Sequence, residues 1–413
     1  MKKKTWLSII VIGLAGQIAW TIENMYFNVF LYNTISTDPK YIAAMVAASA
    51  VVATLTTILA GTVSDRTGVR KPFISWGYVI WAFTVALFAF VSPSSLGGVT
   101  RAALTVIILD CVMTFFGSTA NDAVYNAYIT ETVDNGSRTK VESVVQILPM
   151  AAMLIVFGLL DGFTQKGNWK VFFLVVSSIM LLSGILSFFF IENDRKEKKG
   201  DTSFLYALTY GFTPKAIRGN KNLYIALLAF GLNALGMQVF YPYLIIYIQN
   251  YLGFDNYVVL LGTVLVASSI ICVLLGKVID RMGRIRCTFP AILLMTLGMV
   301  MIYFSSSFVM SRISGVVMMT GYLLSTSVLS SLVREYTPEG KEGGTQGVRM
   351  IFQVMLPMVI GPYLGAAAIR NSNITYEELG QVKQVPTPLI FLIAAGITLI
   401  SLIPLLWIQK KEK

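Results

Sequence analysis

The chain has 413 residues, 55% of them hydrophobic and 13% charged, with a mean hydropathy of +0.71 and a net charge of +11. So little charge cannot cover the surface of a water-soluble domain of this length, which places the chain among membrane proteins. The basic excess sits in short clusters between apolar runs, as membrane topology distributes it, and this excludes nucleic acid as a partner; the lack of any histidine excludes histidine catalysis and histidine proton relays.

The N-terminal stretch MKKKTWLSIIVIGLAGQIAW resembles a secretory leader, but its apolar run is too long and no small-residue cleavage site follows, so it is expected to stay as the first spanning helix. A helix needs about 20 mostly apolar residues to cross a bilayer. Twelve stretches qualify, near 5–32, 40–62, 72–92, 101–130, 140–164, 170–191, 222–250, 255–279, 287–306, 311–333, 346–369 and 387–409. The longest break is basic, polar and glycine-containing. The expected organisation is an N-terminal six-helix half at 1–191, a cytoplasmic linker at 192–221 and a C-terminal six-helix half at 222–413. The expected fold is all-α and integral to the membrane, with twelve transmembrane helices as two pseudo-symmetric six-helix bundles. With both termini inside, inward segments hold 25 of the 32 Lys and Arg residues. The positive-inside rule therefore puts both termini in the cytoplasm of a cell (plasma) membrane. Cys111, Cys272 and Cys287 stand in or beside apolar runs at no metal-ligand spacing, so buried thiols are expected, with no metal and no cofactor.

In the first span Gln17, Trp20, Thr21, Asn24 and Asn28 share a face, while Glu23 lies roughly 100° from its centre, toward a neighbouring helix. The second span ends in GTVSDRTGVRK at 61–71. In the fourth, Asp110, Thr114, Ser118, Asn121, Asp122 and Tyr125 fall within about 120° of one another, as a cavity wall requires. Helix–helix hydrogen bonding would account for Thr114 and Ser118 equally well. Ionisable groups inside a membrane are costly and so are functional candidates. Asp122 and Glu23 are the candidates for cation coupling; Asp161 and Glu142, near the ends of the fifth span, are expected to be interfacial, and Arg349 and Lys277 to snorkel. Pro149, Pro242, Pro357 and Pro362 are expected to kink the fifth, seventh and eleventh spans.

The charged knot of the second span returns at 276–286 as GKVIDRMGRIR, offset by 215 residues, and ETVDNGSR at 131–138 is echoed by EYTPEGKE at 335–342. Parallel duplication of six helices is the layout of a transporter that rocks one half against the other. Gly61, Asp65, Arg66, Gly68, Arg70, Glu131 and Arg138, with Gly276, Asp280, Arg281, Gly283 and Arg284, are expected to form a cytoplasmic gate. Gly61 and Gly276 would admit neighbouring helices, and Asp65 would pair with Arg66, Arg70 or an arginine across the loop. The same offset sets Gln238 opposite Glu23 and Tyr241 opposite Tyr26. Trp20, Asn24, Asn28, Asn121, Tyr125, Asn126, Asn233, Gln238 and Tyr241 are the candidate substrate-binding residues. Aromatic faces beside amides suit a polyhydroxylated ligand, and they would also fit a small amphiphile.

The signature G-x-x-x-D-R-x-G-x-R-K at 61–71 resembles that of the major facilitator superfamily. Asp122, Tyr125-Asn126-Ala127, Glu131, Asp134 and Arg138 resemble the fourth-helix segment of its glycoside–pentoside–hexuronide:cation symporter branch, which includes melibiose permeases. The resemblance implies a sugar or glycoside substrate with a coupling cation. Two acids that sodium-coupled members carry in helix two correspond to Ala53 and Thr57, a sugar-binding arginine falls near Val145, and a helix-eleven lysine has no counterpart; only the helix-four aspartate carries over, onto Asp122. The expectation is therefore symport coupled to H⁺ rather than Na⁺, by a chain functional as a monomer in contact with membrane lipid. The alternative is proton-coupled efflux of small amphiphilic compounds. No nucleophile–base pair or phosphate-binding loop points to an enzyme.

Overall fold

The computed structural model describes residues 3–133, 138–191, 209–282, 284–338, 347–371, 375–378 and 381–412. Among these, twelve apolar helices follow one another: α1 (Lys4–Thr34), α2 (Pro39–Thr67), α3 (Lys71–Phe90), α4 (Val99–Thr132), α5 (Ile147–Gln165), α6 (Trp169–Phe190), α7 (Lys221–Tyr251), α8 (Tyr257–Leu275), α9 (Cys287–Tyr303), α10 (Phe308–Glu335), α11 (Gly347–Asn371) and α12 (Leu389–Ile408). All but the shorter α9 are long and apolar enough to cross a membrane, and the chain is an integral multi-pass membrane protein. A small exception to the all-helical expectation lies between α11 and α12. There β1 (Thr375–Glu378) and β2 (Gln381–Gln384) pair antiparallel, Thr375 opposite Gln384.

The chain divides into two compact units, Met1–Ser36 with Val51–Phe204, and Thr37–Ala50 with Leu205–Lys413. In the first, α3 packs on α4 and α6, and α1 on α5 and α6. In the second, α9 packs on α10 and α12, and α7 on α11 and α12. Each pairing thus recurs six helices later, which is the pseudo-symmetry of two six-helix bundles.

Between helices in lipid there is no hydrophobic transfer to gain, so close packing has to hold each bundle. A Cβ on Gly298 of α9 would lie 2.6 Å from Met318 Cβ of α10, so this pair of helices meets nearly backbone to backbone. In the first unit interlocked rings do the same work: Phe27 of α1 sits 4.3 Å from Phe88 of α3, and Phe30 lies edge-on to Phe173 of α6 at 4.9 Å between centroids.

Several spans are not uniform α-helix. Wide π turns interrupt α1 at Ile22–Tyr26, α4 at Ser118–Tyr125, α5 at Val156–Leu160, α7 at Tyr247–Tyr251 and α11 at Ile351–Met355. Each inserts extra residues per turn and rotates the faces beyond it, so a strict 100° register fails there. Of the prolines, Pro149 and Pro362 sit inside helices and Pro242 within a tight 3₁₀ turn at Tyr241–Tyr243; Pro290, inside α9, is a further one.

Candidate functional site

The polar stripe of α4 is pinned against α1 and α3. Tyr78 Oη of α3 donates to the Ile12 carbonyl at 2.7 Å and faces Asn121 Oδ1 at 3.0 Å, while Tyr125 Oη donates to the Ile9 carbonyl at 2.6 Å. Gly16 makes room for this: a Cβ there would lie 2.5 Å from Asn121 Oδ1 and 2.6 Å from Tyr78 Oη. Asn121 and Tyr125 are both buried. Trp20 packs tilted against the buried Trp81, ring centroids 5.0 Å apart, beside Gly117. Asn24 and Asn28 turn their amides onto their own helix, donating to the Trp20 and Asn24 carbonyls at 2.8 Å each. Asn126 is exposed and donates to the Asp122 carbonyl at 2.9 Å.

Both coupling candidates stand in π turns. Glu23 faces α4, where Thr114 Oγ1 donates to its Oε1 at 3.0 Å; its Oε2 is shielded from solvent and has no hydrogen-bond partner. Asp122 takes a hydrogen bond from Ser118 Oγ at 3.0 Å, with Trp20 and Asn121 beside it. Asp110, 1% exposed, acts on Glu23 electrostatically. Among the described residues no lysine or arginine pairs with Glu23 or Asp122, and no group of acids, cysteines and histidines is arranged to hold a metal ion.

Asp161, expected to be interfacial, stands in the last turns of α5 and is enclosed by protein. It is 1% exposed and accepts from Tyr26 Oη at 2.9 Å, Thr164 Oγ1 at 3.1 Å and Gln165 Nε2 at 2.6 Å. These donors replace the water that a carboxylate at a boundary would use.

The charged knot centres on Arg70. Its Nη2 donates to Asp65 Oδ1 at 2.5 Å and Glu131 Oε1 at 2.7 Å, its Nε to Glu131 Oε2 at 3.2 Å, and its Nη1 to Ser64 Oγ. Burial works against the guanidinium charge, but the bonds to Glu131 and Asp65 outweigh it and raise the Arg70 pKa above its ordinary value. The glycine roles differ from expectation. Gly61 has nothing within 4 Å of a Cβ placed on it among the described residues. Gly68 is the one the backbone needs: at φ 66° it closes α2, its N–H on the Ser64 carbonyl at 3.0 Å. Arg66 is exposed. Arg138, Gly276, Asp280, Arg281, Gly283 and Arg284 lie, wholly or in their side chains, outside the described residues, as do the side chains of Glu142 and Lys277.

In the second unit α7, α10 and α11 converge on a further polar set. Asn233, 1% exposed, donates to Ser325 Oγ at 3.3 Å. Tyr241 opens the 3₁₀ turn of α7 and has Tyr322 of α10 as an electrostatic neighbour. Part-buried Gln238 packs where a Cβ on Gly361 of α11 would lie 2.6 Å from its Cβ. Gln353, within the π turn of α11, keeps its amide nitrogen shielded and without a partner. Tyr78, Trp81, Tyr322, Ser325 and Gln353 escaped the sequence reading. Only Gln353, a lone amide in an apolar span, carried a signal.

A family model described as Major Facilitator Superfamily matches residues 5–362 and 274–413. No curated protein gives a significant match. Solved structures are similar over nearly the whole chain. The nucleoside transporter NupG is 13% identical with a TM-score of 0.73, covering 99% of this chain and 100% of its own. A D-xylose-proton symporter is 15% identical with a TM-score of 0.73, covering 97% of each chain. An auto-inhibited POT family peptide transporter is 10% identical with a TM-score of 0.72, covering 98% of this chain and 96% of its own. At such identities the likeness is one of fold.

Proposed function

This chain belongs to the major facilitator superfamily, a family of transporters rather than enzymes, and from that premise we propose that it carries a sugar or glycoside in symport with protons by alternating access. It acts as a monomer in the cell membrane, both termini cytoplasmic. The observation that carries the reading is the pair of acids in the π turns of α1 and α4, Glu23 and Asp122, each held by a hydroxyl donor and neither paired with a base among the described residues. A carboxylate in a membrane without a counter-charge is costly. Taking up a proton removes that charge and turns one oxygen from acceptor to donor, so binding and release of H⁺ changes which neighbours the acid can hold. Such a two-state group is what coupling needs.

Substrate recognition is assigned to Trp20, Asn121 and Tyr125 in the first unit and to Asn233, Gln238, Tyr241 and Gln353 in the second. Indole and phenol faces accept C–H surfaces, and amides offer donor and acceptor to hydroxyls. Two of the similar structures are named for a sugar, D-xylose, and for nucleosides, which supports this class. Membership of the melibiose permease-like branch is part of the proposal, carried by the 122–138 segment.

The test is uptake of labelled glycosides into proteoliposomes under an imposed pH or Na⁺ gradient, comparing wild type with Asp122→Asn. Uptake driven by the pH gradient and lost in the variant is expected. No glycoside uptake under either gradient refutes the reading and turns attention to proton-coupled efflux of amphiphiles.

A further inference from the structure

The end of α10 and the start of α11 meet on one apolar cluster, in which Val333 and Val348 are buried together with Leu223, Leu227 and Ile408. The residue after each valine is an arginine. Arg349, expected to snorkel, is half-buried, and its Nε is shielded from solvent without a hydrogen-bond partner. The charged group acting on it among the described residues is Arg334, an exposed residue of like charge. Among the described residues no carboxylate pairs with either arginine. The contrast with Arg70 is sharp: that buried arginine is wrapped by Glu131, Asp65 and Ser64. A part-buried guanidinium near a second, exposed one, with no anion among the described residues to answer them, is favoured by a negative charge supplied from outside the protein. Planar guanidinium forks match the tetrahedral oxygens of a phosphate, which can accept from two arginines at once.

We propose that Arg349 and Arg334 form a binding site for a phosphate group, presented by an anionic phospholipid headgroup or by a free phosphate. The site lies wholly in the second unit and does not depend on the transport reading.

The test is thermal unfolding of the full-length protein in a non-ionic detergent, titrated at constant ionic strength with dihexanoyl phosphatidylglycerol, dihexanoyl phosphatidylcholine or inorganic phosphate, against chloride. A saturable rise of the midpoint with phosphatidylglycerol, absent with phosphatidylcholine and chloride, is expected. A parallel rise with inorganic phosphate identifies a free anion as the ligand; a rise with phosphatidylglycerol alone identifies the lipid. Arg349→Gln should weaken the response about tenfold or more, the scale of losing charge-assisted hydrogen bonds, and Arg334→Gln should weaken it less. Arg349→Lys keeps the charge and shows whether loss in the glutamine variant is loss of the site or of the fold: a partial response is expected from it. Equal responses of wild type and Arg349→Gln overturn the proposal, as does a wild type indifferent to both anions. Appearance of a response only in Glu339→Gln/Glu342→Gln would also overturn it, since the chain's own acids would then be the counter-charge.

Discussion

The Arg70 knot allows two substitutions of similar chemistry to be ranked. Glu131 meets Arg70 through two bonds, 2.7 and 3.2 Å, with a side chain 12% exposed; Asp65 meets it through one, at 2.5 Å, with a side chain 44% exposed. Breaking a buried ion pair costs about 3–5 kcal/mol, because the surviving charge is stranded. Here Asp65 and Ser64 remain to answer Arg70, so Glu131→Gln should cost about 2–3 kcal/mol, short of the full penalty. The Asp65 pair is in contact with water, and Asp65→Asn should cost about 0.2–1 kcal/mol. Unfolding of the purified protein in mixed micelles of increasing SDS content gives both values. A double-mutant cycle with Arg70→Gln should return a coupling of about 2 kcal/mol for Arg70–Glu131, within the range for directly bonded neighbours. The Asp65 effect should shrink in high salt and the Glu131 effect should not. Equal costs for the two carboxylates, or a Glu131 coupling below about 0.5 kcal/mol, would show that the burial difference does not govern this knot.

The glycines of the first unit should separate cleanly. Gly16→Ala drives a methyl into Asn121 and Tyr78 and should destabilise by about 1–3 kcal/mol, whereas Gly61→Ala, in open space on a helix, should be neutral or stabilising by up to about 1 kcal/mol in the same unfolding assay. Asp161→Ala removes the shared acceptor of Tyr26, Thr164 and Gln165 and should cost about 2–4 kcal/mol; a loss under 0.5 kcal/mol would mean those donors find other partners. On the proposed coupling, Glu23→Gln should abolish proton-driven accumulation in proteoliposomes while leaving substrate counterflow intact, and equal loss of both would assign Glu23 to substrate binding or folding instead.

How much of this was legible beforehand follows from what the bilayer dictates. A span must be apolar over a fixed length and must satisfy its own backbone, so composition alone revealed the helices, and a gapless repeat of Gly, Asp, Arg and Gly at an offset of 215 residues revealed the two halves. The acids Glu23 and Asp122 stood out for the same reason, charge being rare where water is absent. Faces within helices were less secure: the π turns at 22–26 and 118–125 fall on the very residues whose register mattered, and nothing in a 3.6-residue period announces them. Partners far apart along the chain could not be read at all. Arg70 reaches Glu131 across 61 residues, Tyr78 reaches Asn121 across 43, and Gly61 has no described neighbour within 4 Å of its Cβ position although its motif suggested a crossing helix. The sequence by itself thus determined that the chain spans the membrane, how many times, and where its costly charges lie, because solvation acts on each segment separately. Only the tertiary structure decided which group answers each charge, because that depends on the approach of helices whose order along the chain does not specify their contacts.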